Sequence, residues 1–253
     1  MAEKLKIIPL GGLGEIGKNM TVVEYGDDIL VIDCGIAFPD EEMPGVDLVI
    51  PDMSYLEKNR ERVRAVILTH AHEDHIGAVP YFLRKIHAPI YGTTMTLGIL
   101  GTKLAEHGLT QSTELVTVAT GDYFELGCFG VEFIRTNHSV PDSAAIAIST
   151  PLGNVIITGD FKIDPTPVRG RMIDLTRFGE YGDEGVLLLM SDSTNVERPG
   201  FTMSESHVGE TLEAYFKNCD QRIIIASFAS NVDRMQQVIR IAAKYGRKVA
   251  VSG

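Results

Sequence analysis

Apolar positions along the chain fall into short runs whose spacing changes from two to nearly four and back. Residues 4–10 alternate like a strand. Met20 to Tyr25 and Ile29 to Asp33 are two β-type runs around Gly26-Asp-Asp28, the pattern of a hairpin. The 63–69 run, Val-Arg-Ala-Val-Ile-Leu-Thr, reads as a buried strand. Helical spacing follows over 77–86 and again over 96–107, where Gly108 ends the helix. A short strand over 88–92 separates the two. Strands are then predicted over 115–120, 123–126, 129–135, 144–149 and 155–158, with a hairpin turn at 151–154 and a further buried strand over 186–190.

Beyond about residue 205 the rhythm changes. Thr202-Met-Ser-Glu205 has the form of a capping box, ahead of a helix to about Lys217. A strand over 222–227, a helix over 232–245 and a strand over 247–251 make a βαβ unit, which implies a parallel sheet. The expected division is 1–208 for a first domain and 209–253 for the beginning of a second that breaks off after one unit, as in a truncated chain.

Charge sharpens this division. The chain carries a formal −11, but from Arg222 onward there are six bases against Asp233 alone, which makes that tail +5 and the rest −16. The whole is too acidic for a simple nucleic-acid binder; the tail is not. Cys34, Cys128 and Cys219 are odd in number and form no C-x-x-C pair, so free thiols are expected. No apolar run has the length of a membrane span, and the N-terminus lacks a secretory core, which points to the cytoplasm.

Two motifs stand out from this pattern. Gly12, Gly14 and Gly17 match the spacing of a dinucleotide-binding loop, but a hairpin follows them where that loop needs a helix. They are read as letting a loop pass close to the site or make a tight turn. By contrast, His70-Ala-His-Glu-Asp-His75 follows a buried strand and places three imidazoles and a carboxylate in one turn. That donor set suits Zn²⁺, Mn²⁺ or Fe²⁺. His138 and Asp160 each follow a later strand end and join as candidates by their order along the chain.

This order of motifs resembles the metallo-β-lactamase fold. With Pro9 to Asn19, Leu68 to Ala78, Ser191 to Asn195 and Ala226 to Asn231, it resembles more narrowly the bacterial ribonuclease J family, along the whole chain. The resemblance implies an αβ/βα sandwich followed by the start of a β-CASP parallel α/β domain. It implies two divalent metal ions, Zn²⁺ first and Mn²⁺ or Mg²⁺ as alternatives. His70, His72 and His138 would hold one; Asp74 and His75 the other; Asp160 would bridge. Asp74 and His72 are the expected catalytic residues, Asp74 also as proton acceptor. Asp192 is the candidate for orienting a ligand from behind. Ser227, Phe228, Ser230 and Asn231, at a strand-to-helix turn, are candidates for holding phosphate and stacking a base. The implied activity is metal-dependent cleavage of RNA, 5′-to-3′ and internal, in RNA maturation and decay. The implied partners are RNA, further copies of the chain and an RNA-degradation complex, with no membrane. The family's last metal-ligand histidine would lie beyond Gly253. A lactamase-fold hydrolase of small substrates, or an inactive fragment, are the alternatives.

Overall fold

The computed structural model describes residues 3–252. Its first sheet has six strands: β1 (Lys6–Gly11), β2 (Met20–Tyr25), β3 (Asp28–Ile32), β4 (Val63–Ile67), β5 (Ile90–Gly92) and β6 (Leu115–Thr117), side by side in that order. The β1–β2–β3 meander is antiparallel, and β3 to β6 run parallel. Parallel neighbours need crossovers, and here helices supply them. They are α1 (Ser54–Lys58), α2 (Glu73–Ile76), α3 (Val79–Leu83) and α4 (Thr94–Glu106). The second sheet has β7 (Tyr123–Leu126), β8 (Phe129–Arg135), β9 (Ala144–Thr150) and β10 (Gly153–Ile157) as an antiparallel meander. After α5 (Leu175–Glu184), β11 (Val186–Met190) joins β10 in parallel at the edge.

Strand alternation builds the layers. Val23, Leu30, Ile32, Ala65 and Ile67 face inward from the first sheet and meet Val131, Phe133, Ile146 and Ile148 from the second. Their neighbours Val22, Val31 and Val66 point the other way and pack under Leu56, Phe82, Leu97 and Leu100 of the helices. On the far side Ile134, Ala145, Ala147 and Ile156 carry α5 through Phe178 and Tyr181. The result is helix, sheet, sheet, helix. Each fully buried side chain of this kind contributes about 1.5–3 kcal/mol, so three stacked cores make a stiff frame for the loops at the sheet ends. The helix α5 is pinned further by Arg177, which donates to both oxygens of buried Glu132 at 2.8 and 2.7 Å, and by the Tyr181 hydroxyl at 2.8 Å.

Beyond the sandwich, α6 (Glu205–Asn218) and α7 (Val232–Lys244) pack on each other through Phe216, Ile241 and Ala242. Asp164 ties them to the sandwich by accepting from the Glu205 amide at 3.2 Å, and Arg169 reaches Asp233 at 2.7 Å.

The structure corrects four expectations. The 186–190 strand forms but is exposed, with Leu187 and Leu189 more than half open, because it lies at a sheet edge. The 222–227 and 247–251 segments belong to no ladder; a parallel strand needs a neighbour, and Ile224 and Val251 stand in solvent. The βαβ reading therefore holds for its helix and not for its strands. The cap of α6 is Ser204, whose hydroxyl accepts from the Ser206 amide, and not Thr202. Finally, α5 was not foreseen; its two interior glycines and narrow apolar stripe hide it. The three cysteines are free, as expected. Among the described residues no helix is long and apolar enough to cross a membrane.

Candidate metal centre

Three segments at one end of the two sheets bring the candidate residues together. His70 and His72 follow β4, and Asp74 and His75 lie in the single turn of α2. His138 follows β8, and Asp160 follows β10. Two groups of donor atoms result, each with all its atoms within 4.8 Å of one another: His70, His72, His138 and Asp160, and Asp74, His75 and Asp160. Asp160 belongs to both. Its Oδ2 lies 3.9 Å from His70 Nε2 and 3.6 Å from His138 Nε2, while its Oδ1 lies 3.2 Å from His75 Nε2. All six expected metal residues thus converge.

The backbone that permits this is tight. The carbonyl of Asp74 accepts from the Asn19 amide at 3.0 Å, and the Cys34 amide donates to the His75 carbonyl at 2.7 Å. Gly35 passes so close that a Cβ there would stand 1.5 Å from the Asp74 carbonyl oxygen. Only glycine fits that approach.

Hydrogen bonds decide which nitrogens face the cluster. Asp33, at the end of β3, accepts from the Thr69 amide at 2.8 Å, from the Thr69 hydroxyl at 2.9 Å, and from His75 Nδ1 at 2.7 Å. The Thr69 hydroxyl spends its one proton on Asp33, so it accepts from His70 Nδ1 at 3.0 Å. Both imidazoles then carry a proton on Nδ1 and turn Nε2 toward the cluster, His70 with a bare lone pair and His75 within reach of Asp160. His70 Nε2 is buried and has no hydrogen-bond partner. Such an orphaned acceptor is costly unless something binds it. Four imidazoles at centroid distances of 4.0–4.9 Å repel each other when protonated.

The electrostatics agree with this arrangement. Burial, with its histidine neighbours, pushes His70 well below the usual range. Burial lowers His72 too, and His138 to about 4. All three are neutral at pH 7, the form that binds metal. Burial also opposes charge on His75, yet Asp33 and Asp160 overcome it and hold its pKa well above the usual value. Asp160 stays below the usual carboxylate range: burial works against it, but the hydrogen bond from His75 prevails. The donor chemistry, the orphaned Nε2 and the field that draws positive charge all fit divalent cations.

Asp192, expected behind a histidine, instead donates its amide to the Thr158 hydroxyl and accepts from the Thr194 amide in a local turn. Asp33 holds the place predicted for it, and the sequence reading missed it. A signal was present, an acidic residue closing an apolar strand directly before Cys-Gly. Of the substrate candidates, Ser227, Phe228 and Ser230 are exposed and Asn231 caps α7 by accepting from the Arg234 amide at 3.0 Å. Beside His138 a cleft of about 460 Å³ runs between the sandwich and α7, lined by Arg135, Lys162, Arg169 and Arg171 and reaching Asn231 and Asp233.

Against known families, the model described as the metallo-beta-lactamase superfamily matches residues 13–194, which include all six residues of the cluster. This chain is a member of the metallo-beta-lactamase superfamily. A second model, the beta-CASP domain of ribonuclease J, matches 220–253. Among curated relatives the superfamily member is 49% identical to ribonuclease J of Synechocystis sp. over 99% of its own length, and 46% identical to ribonuclease J of Thermus thermophilus over 99%. Ribonuclease J2 of Bacillus subtilis is likewise 46% identical. The chain spans 40% to 45% of the length of these relatives. A crystal structure of a protein of unknown function from Enterococcus faecalis V583 matches the fold with a TM-score of 0.68 at 18% identity, covering 100% of this chain and 71% of that one.

Proposed function

We propose that this chain carries the metal centre of a ribonuclease of the ribonuclease J type, which hydrolyses RNA phosphodiesters both from the 5′ end and internally. The observation that carries the reading is the shared carboxylate: Asp160 belongs to a histidine-rich donor group and to a second, more acidic one. Phosphodiester hydrolysis uses such a pair of cations. The 46–49% identity to ribonuclease J proteins across the chain supports RNA as the substrate.

In this reading His70, His72 and His138 would hold one cation, Asp74 and His75 the other, and Asp160 would serve both. The nitrogen-rich first group suits Zn²⁺, and the second admits Mn²⁺ or Mg²⁺. When bound, the cations supply positive charge that polarises a phosphoryl oxygen and makes water acidic enough to attack near neutral pH. The chain's own residues do the rest. Asp33 and Thr69 fix the Nε2 faces of His70 and His75. Asp74, with its carboxylate partly open, takes the proton from the attacking water, and His72 is the second catalytic residue. The complete burial of His70 keeps bulk solvent from the inner side. The cleft beside His138 receives the RNA backbone on Lys162, Arg169 and Arg171. Asn231 lines its far end, and Ser227, Phe228 and Ser230 precede it along the chain, with exposed Phe228 free to stack on a base.

A division into domains at about residue 208 follows from the same reading, with α6 and α7 opening the second. Residence in the cytoplasm rests on the apolar pattern of the sequence, and assembly with further copies and membership of a degradation complex rest on the resemblance alone. The test is cleavage of 5′-monophosphate and 5′-triphosphate RNA by the full-length protein. Asp74→Ala and His72→Ala each lower turnover by about 100-fold or more while leaving the thermal melt in place. Full turnover in either variant would refute the reading.

A further inference from the structure

The glycine-rich segment after β1 contributes none of the six metal-binding candidates. It leads directly to Asn19, the residue before β2. Asn19 is clamped at its backbone on both sides: its amide donates to the Asp74 carbonyl at 3.0 Å, and its carbonyl accepts from Gly35 at 3.0 Å. Its side chain follows the same direction. Nδ2 lies 3.2 Å from Asp74 Oδ2 and 3.1 Å from His75 Nε2. These two atoms are donors of the second, more acidic group and play no part in the histidine-rich one. Among the described residues no other side chain donates a hydrogen bond to the Asp74 carboxylate.

The glycines make room for this placement. The other end of the amide, Oδ1, rests against Gly12, where a Cβ would stand 2.5 Å away, and Gly12 has a left-handed φ of 85°. A side chain at residue 12 would therefore be strained and would also displace the amide. The loop that mimics a dinucleotide motif is thus shaped to deliver one amide to one carboxylate.

We propose that Asn19, with Gly12 beside it, is a positioning residue for the second cation. Its N–H turns the Asp74 carboxylate toward His75 Nε2 and Asp160 and so sets how tightly the second cation is held, without touching the first. With a cation held by His75, the amide would keep only its bond to Asp74. This inference rests on the two-cation reading of the site.

The experiment titrates Zn²⁺, and separately Co²⁺, into the chelator-stripped full chain by calorimetry and visible absorption. The parent takes up two equivalents. Asn19→Leu, which keeps the branched shape and removes the donor, and Asn19→Ala both bind the first equivalent as the parent does. The second equivalent binds about 10–100-fold more weakly, and only the absorption bands that appear with the second Co²⁺ change. Unchanged affinity for both equivalents overturns the proposal. So does an equal weakening of both together with a lower melting temperature, which marks a merely structural residue. A parent chain that takes up no cation defeats the metal-centre reading itself, and this inference with it. A parent with two sites and indifferent variants defeats this inference alone.

Discussion

Thr69 has a single hydroxyl proton, and where it goes fixes the chemistry of two histidines. Asp33 accepts it and at the same time holds His75. Asp33→Asn removes an acceptor from this chain and can turn a donor toward His75. Cation affinity should fall by about 10–100-fold, measured by titration of the stripped protein, and an unchanged affinity would show that packing alone sets the rings. Acid gives a second test. His70, His72 and His138 have folded pKa values below the unfolded value of about 6.5. The unfolded chain therefore binds more protons than the folded one as pH falls from about 6.5 toward about 4. The stability these three contribute is present above that window and lost within it. His75 runs the other way: its contribution is complete below the unfolded value and fades only as pH rises through its raised pKa. Three groups outweigh one, so the stripped protein should melt at a lower temperature at pH 5 than at pH 7. A melt that is flat or rises toward acid would contradict this. At this scale the metal residues were legible because donor chemistry restricts them to His and Asp at strand ends. Asp33, Thr69 and Asn19 were not, because a hydrogen-bond partner can come from any loop the fold brings near.

Elements were legible where burial is two-sided or alternation is clean. The β3 and β4 strands announce themselves by the apolar runs Ile29 to Ile32 and Ala65 to Leu68, because helices cover one face and a sheet the other. The apolar runs 222–227 and 247–251 look much the same, yet they find no neighbour to pair with. A strand is a property of two segments, and the sequence displays one at a time. The α5 helix shows the reverse case. Little in its pattern predicts it, and it is fixed by the fork of Arg177 on Glu132. Arg177→Ala would leave Glu132 buried beside the Tyr181 hydroxyl alone. We expect a loss of about 3 kcal/mol in denaturant unfolding, with cation binding at the distant cluster intact. A loss below about 1 kcal/mol, the level of an exposed pair, would show that water reaches the carboxylate.

For the whole molecule, the charge asymmetry read from the sequence is real in number but partly spent. Of the six bases after residue 221, Arg234 is bound to Glu205, Lys244 to Glu213, and Arg247 to backbone carbonyls of Cys219 and Gln221. Arg222, Arg240 and Lys248 remain exposed. The cleft beside His138 adds Arg171, whose charge is matched by no ion pair among the described residues. RNA affinity of the full-length protein should therefore fall with salt. Charge reversal at Arg171 (Arg171→Glu) should weaken binding across sequences and flatten the salt slope by about one unit or more. An unaltered slope would remove the cleft from the path of the RNA.

The strand β11 carries Val186, Leu187, Leu188 and Leu189, open on one flank along a rim of unpaired main-chain groups. Such a rim is adhesive, since any extended peptide can dock there and extend the array. Samples of this chain should thus cloud as they are concentrated, and a lysine at residue 187 or 189 should keep them clear in light scattering.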